Sequence, residues 1–196
     1  MKLSSITGLV ALSFFLSFEA SGQGTFFLQN YSPPDGVNAP VFDAQGAPLA
    51  GSDYLAELWG GPAADSLAPA VSFGSRVMAP FLTGRGAGYF QHMSVVDVEI
   101  PSVPGGAWTW LQVRAWDARL GPTYEAVVAL GLGGYGESNF LHLIAGGAGV
   151  PPSLPAPLVG LQSFSLREIV PEPRAVWLLL VGIPLLLCFR RHRSQP

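Results

Sequence analysis

Two predominantly apolar runs, residues 6–18 and 175–189, bracket a chain in which apolar and polar positions otherwise tend to alternate. Alternation with period two places successive side chains on opposite faces of a strand, and helical periodicity is scarce between the runs. The alternating segments 25–29, 41–43, 54–59, 88–93, 94–100, 108–117 and 162–166 are the expected strands, bounded by Gly, Pro and Asp clusters. Tight turns are expected at Asp43-Ala44-Gln45-Gly46 and Pro104-Gly105-Gly106. Residues 124–130 fit either a short helix or a further strand, and 145–157, almost all Gly, Pro and Ala, read as a long irregular loop. Short strands at this spacing predict an all-β body, an antiparallel β-sandwich of jelly-roll or immunoglobulin-like type.

The strand at 108–117 is the most informative. Thr109, Leu111, Val113 and Ala115 fall on one face, which reads as core. Trp108, Trp110, Gln112, Arg114 and Trp116 fall on the other, which reads as tolerant of polar change. Trp108, Trp110 and Trp116 are the candidate glycan contacts, since an indole offers a flat apolar surface and an N–H donor. The competing expectation is that these indoles pack under loops or a second sheet, with Arg114 over an indole.

Each apolar run has informative flanks. Lys2 precedes the first, and the small residues Ala20 and Gly22 follow it. This is the pattern of a secretory signal peptide over residues 1–22, removed by signal peptidase before Gln23. The second run is preceded by Pro171, Glu172 and Pro173 and followed by Arg190, Arg191, His192 and Arg193. The prolines keep the strip extended and bar it from the following helix. The apolar run 175–189 spans about 22 Å as a helix, short for a permanent anchor but able to hold the chain in a membrane. The basic cluster 190–193 keeps the tail on the cytoplasmic side.

This order of strip, apolar run and arginine cluster resembles the PEP-CTERM sorting signal of exopolysaccharide-producing Gram-negative bacteria. The resemblance covers 169–196 only. It implies that a membrane exosortase recognises Pro171, Glu172 and Pro173, removes the tail, and leaves the body at the cell surface or outside the cell. Arg190, Arg191 and Arg193 would act as the membrane stop. The alternative is a permanently anchored single-pass inner-membrane protein carrying a periplasmic β domain.

Charge and chemistry narrow the role of the body, residues 23–168. The net charge of the chain is −3, and the body carries eleven acids against five arginines and no lysine. Nucleic acid is therefore not an expected partner, because phosphate binding needs clustered cations. The single cysteine, Cys188, lies in the second apolar run, so no disulfide framework supports the body.

His92 and His142 lack zinc-type spacing, and Asp35, Asn38, Asp43 and Asp53 match no calcium loop and read as turn formers. No nucleophile elbow or phosphate cradle is present. Asp97 and Glu99 share a strand face but read as a solvated one. No catalytic residue, metal or cofactor is expected. The sequence predicts a structural or adhesive protein of an exopolysaccharide layer, with a carbohydrate-binding module as the alternative.

Overall fold

The computed structural model describes residues 22–91 and 98–169. The expected signal peptide, the strip at Pro171, Glu172 and Pro173, the apolar run and the cluster at Arg190, Arg191 and Arg193 lie outside the described residues, as do His92 and Asp97.

The chain forms β1 (Gln23–Phe26), β2 (Tyr31–Ser32), β3 (Val37–Asn38), β4 (Val41–Phe42), β5 (Gly51–Gly61), β6 (Ala68–Pro69), β7 (Val71–Ser72), β8 (Ser75–Arg76) and β9 (Met78–Phe81). There follow β10 (Val98–Pro104), β11 (Trp108–Asp117), the helix α1 (Tyr124–Leu130), β12 (Tyr135–Glu137), β13 (Leu141–Ile144) and β14 (Phe164–Ser165). Among the described residues the result is a mostly antiparallel β structure with one α-helix. Among the described residues no helix is long and apolar enough to cross a membrane.

The larger sheet is built on β11. It pairs with β5 along one edge, from Trp110 opposite Gly61 to Asp117 opposite Tyr54. Along its other edge it pairs with β13 and then β12. β5 carries β6 and β9 on its far side. A second sheet runs β1-β10-β7-β8. The short pair β14–β4 is parallel and β2–β3 is a hairpin.

The expected core face of β11 is the observed one: Thr109, Leu111, Val113 and Ala115 are fully buried. They sit beside Ala56 and Leu58 of β5, and the cluster continues through Phe26, Phe90 and Ile100. Each such large side chain contributes roughly 1.5–3 kcal/mol on burial. Gly60 is where the two sheets touch, since a Cβ there would lie 2.7 Å from Ile100 Cδ1 and 2.8 Å from Leu111 Cδ2. Only a residue without a side chain permits that approach.

Several expectations need correction. β5 extends beyond 54–59 at both ends because its partners β9 and β11 continue past them. β1 starts two residues earlier than expected. β10 runs on to Pro104, where the expected turn follows, with Ala107 N–H donating to the Pro104 carbonyl. The described part of 88–93 makes isolated bridges rather than a strand. Its backbone is held by a side chain instead. Asn30, fully buried, donates to the carbonyls of Ala39 (2.7 Å) and Gly88 (3.0 Å) and accepts from Phe90 N–H (2.8 Å). Residues 124–130 form the helix. Its start is capped by Thr123, whose Oγ1 accepts from Ala126 N–H at 3.2 Å.

The end of the body is stitched to the rest by main-chain bonds. Leu166 N–H donates to the Phe42 carbonyl, Arg167 N–H to that of Tyr135, and Gly134 N–H to that of Arg167. Gly133, at φ +94°, packs so closely that a Cβ would collide with the Glu168 carbonyl.

Candidate functional site

The face of the larger sheet opposite the core carries the sequence-nominated residues. Strand register lays them out in cross-strand rows. Trp108 lies opposite Ile144, and Trp110 lies between His142 and Gly61. Gln112 faces Trp59, Arg114 lies between Glu57 and Glu137, and Trp116 lies between Leu55 and Tyr135. The three indoles therefore share a face, yet they occupy three different environments.

Trp116 is fully buried beneath α1. It packs with Tyr124 and Val127, and its Nε1–H donates to the Gly121 carbonyl at 3.2 Å. Its assignment as a glycan contact is thus overturned: no surface of the ring reaches solvent. The cause is α1, which covers this end of the face. Gln112, expected to be solvated, is also buried at 4% exposure. It donates to the Ser138 carbonyl and accepts from Arg114 Nε.

Charge fills the middle of the face. Glu57 is completely buried and receives Arg76 Nε and Nη2 together with Trp59 Nε1–H at 2.9 Å. Arg76 also bridges to Glu125 on α1 at 3.0 Å, tying the helix to the sheet. Burial pushes the Glu125 carboxyl up, but the Arg76 hydrogen bond, the backbone hydrogen bond, the Arg76 charge and Thr123 together hold the group below its ordinary value. Arg114 lies 4.0 Å from the centroid of Trp59 and 5.1 Å from that of Tyr124. An arginine does lie over an indole, although that indole is Trp59 rather than one on β11. Burial, and then a hydrogen bond to Glu137, push the Tyr124 hydroxyl well above its ordinary value. These contacts join into one ion and aromatic network across the middle of the face.

The far end is open. Trp110 stacks on His142 at 4.5 Å between centroids, and His142 stacks on Trp108 at 4.8 Å. Phe140 closes the other side of Trp110 edge-on at 6.3 Å. Trp110 is half-buried, whereas Trp108, Phe140 and Ile144 are 58%, 49% and 50% exposed. The sequence did not single out Trp59, Phe140 or Ile144, and it placed His142 nowhere. The signal was the alternation across Phe140, His142 and Ile144, which matches that of Trp108 and Trp110.

Two recesses lie elsewhere. One, of about 250 Å³, is lined by Asp43, Tyr54, Asp117, Arg119, Arg167 and Glu168. Two of its charges engage each other: Arg119 holds Asp117 at 2.6 Å and also lies 3.9 Å from Asp53. Burial pushes the Asp117 carboxyl up, but hydrogen bonds from the Arg119 side chain and backbone hold it below its ordinary value. A second recess, of about 510 Å³, runs past Tyr31, Leu82, Arg85 and Tyr89.

The acids considered as calcium ligands are spent locally. Asp43 accepts from the N–H groups of Gln45 and Ala47, and Asp35 accepts from Ser32. Among the described residues no group of three or more His, Cys, Asp or Glu converges as a metal site would. No family model matches the chain, and neither a curated protein nor a solved structure does.

Proposed function

We propose that this is an exported, non-enzymatic protein of the cell surface or extracellular matrix, sorted by a PEP-CTERM-type tail and structural or adhesive within an exopolysaccharide layer. The observation that carries the reading is the order of three tail elements: Pro171-Glu172-Pro173, the apolar run 175–189, then Arg190, Arg191 and Arg193. On this reading signal peptidase frees the body at Gln23, the run 175–189 holds it transiently in the inner membrane, and an exosortase removes the tail. We also read the two main sheets as the layers of a β-sandwich, supported by the close approach of Ile100 on β10 to Gly60 on β5. A folded body in which the buried Glu57 and Asp117 are paired with arginines suits a passive, durable role.

Intact-mass measurement of fractionated cells, with and without the exosortase, tests the proposal. The wild-type chain is expected to lose Cys188 only when the exosortase is present, and Glu172→Ala to remain full length in the inner membrane. Retention of Cys188 in both strains would replace the proposal with a permanently anchored single-pass protein.

A further inference from the structure

We propose that the outer face of Trp108 receives a sugar ring of a neutral polysaccharide. The four tryptophans of the described residues fall into two kinds. Trp59 and Trp116 are buried and give their indole N–H to internal acceptors. Trp108 and Trp110 sit on the open strip, and the Trp110 N–H meets no acceptor among the described residues.

The strip is an ordered stack with one free end. Phe140 meets Trp110 edge-on, Trp110 and His142 lie 21° from parallel, and His142 and Trp108 lie 29° from parallel. Three indoles on one flat platform, as the sequence suggested, are not present. The inner ring faces are used on one another, and among the described residues Trp108 ends the stack with its ring exposed. A pyranose with equatorial hydroxyls presents a face of C–H groups that suits the electron-rich face of an indole. Because His142 already fixes the Trp108 ring, little rotamer freedom remains to be lost on binding.

The occupant follows from size and charge. Trp108, Phe140, His142 and Ile144 together expose a few hundred Å² at most, the scale at which an apolar patch on a monomer marks a contact site. That is well short of the roughly 800 Å² per partner needed by a stable dimer, so a second copy fits poorly. Among the described residues the strip of Trp108, Trp110, Phe140, His142 and Ile144 holds an imidazole but no Asp, Glu, Lys or Arg, which favours a neutral chain over an anionic one. A glycan, rather than another neutral ligand, is chosen on the surface role proposed above.

The test is titration of the full chain, purified in a detergent without sugar headgroups, with cellohexaose, xylohexaose and mannohexaose, read by tryptophan fluorescence and calorimetry. At least one hexasaccharide is expected to bind. Trp108→Ala should weaken that binding at least tenfold, Trp108→Phe by much less, and thermal unfolding should be unchanged in both. The inference is overturned by no binding to any of the three at millimolar concentration, by equal binding of Trp108→Ala, or by binding of polygalacturonate alone. Self-association that Trp108→Ala abolishes would likewise overturn it in favour of a second copy. Sorting is read separately by the mass of Glu172→Ala, so normal processing without sugar binding would remove this inference and leave the surface role standing.

Discussion

Arg76 grips the fully buried carboxylate of Glu57 with two hydrogen bonds, Nε to Oε1 at 2.6 Å and Nη2 to Oε2 at 2.5 Å. The arginine comes from the end of the β7–β8 hairpin and the glutamate from the middle of β5, so one ion pair fastens the smaller sheet's edge to the larger sheet. Removing one partner of a buried pair leaves an uncompensated charge and costs about 3–5 kcal/mol. Arg76→Leu is expected to cost about 3 kcal/mol, because Trp59 still donates to Glu57. Glu57→Gln added to Arg76→Leu should recover part of that loss, since a neutral amide is less costly to bury. Urea denaturation of the two variants checks this.

Asn30 performs a comparable task without charge. Its side chain satisfies Ala39, Gly88 and Phe90 main-chain groups in the core. Asn30→Ala leaves the Phe90 N–H and the Ala39 carbonyl short of partners, each worth about 1–3 kcal/mol when buried. A loss of about 3 kcal/mol is expected, with amide exchange accelerated at Phe90.

Acid should weaken the fold through Asp117 and Glu125. Burial alone would raise both carboxyls, but hydrogen bonds and the nearby arginine charge together hold them below their ordinary values in the folded state. A depressed folded value gives stability that is present above the unfolded value of about 4 and lost as pH falls through the folded one. Stability is expected to be flat from pH 7 to about 5 and to decline below about 4. Asp117→Asn should be less stable at pH 7 and show a shallower decline. Urea midpoints measured against pH provide the comparison.

Phe73 offers a stabilising change. It occupies the first central position of the β7–β8 turn at φ 48°, followed by Gly74 at φ 77°, and is 86% exposed. Two positive φ values in a two-residue hairpin loop make a type I′ turn, which favours Asn or Gly at that position. A bulky aromatic in the left-handed region is strained by about 1 kcal/mol or more. Phe73→Asn is expected to raise the unfolding midpoint, visible in a thermal melt.

The same turn shows why part of the fold was hidden from the sequence. Ser72-Phe73-Gly74-Ser75 lacks the Asn-Gly or Asp-Gly signal, and β6 to β9 are short strands with prolines at Pro69 and Pro80. Strands with a clear face were legible: β11 has the expected bounds and the expected buried set. What failed was the reading of Gln112 as solvated, and of the two expectations for the indoles packing holds for Trp116 while Trp108 is open. Period-two alternation says which residues share a face, but not what covers it. A seven-residue helix from a later part of the chain buries Trp116, while Gln112 is enclosed by Arg114 and the Ser138 backbone. The stack at Trp108, His142 and Trp110 likewise depends on the β11–β13 register, which joins residues more than thirty positions apart.

The stitched seam at residues 164–168 fixes how much slack the body has. Its main-chain bonds reach as far as Arg167, and the apolar run begins at Ala175. Seven residues, 168–174, lie between them, and the eight Cα steps from Arg167 to Ala175 cover at most about 28 Å when fully extended. In the proposed membrane-held state the folded body would stand off the bilayer by no more than that clearance, and a cutting enzyme would have to work inside it. Peeling the seam would lengthen the leash by about 3.4 Å for each residue released. The strength of a few backbone bonds at Tyr135 and Gly134 would then act as a ruler, setting the height at which the tail is offered for cleavage.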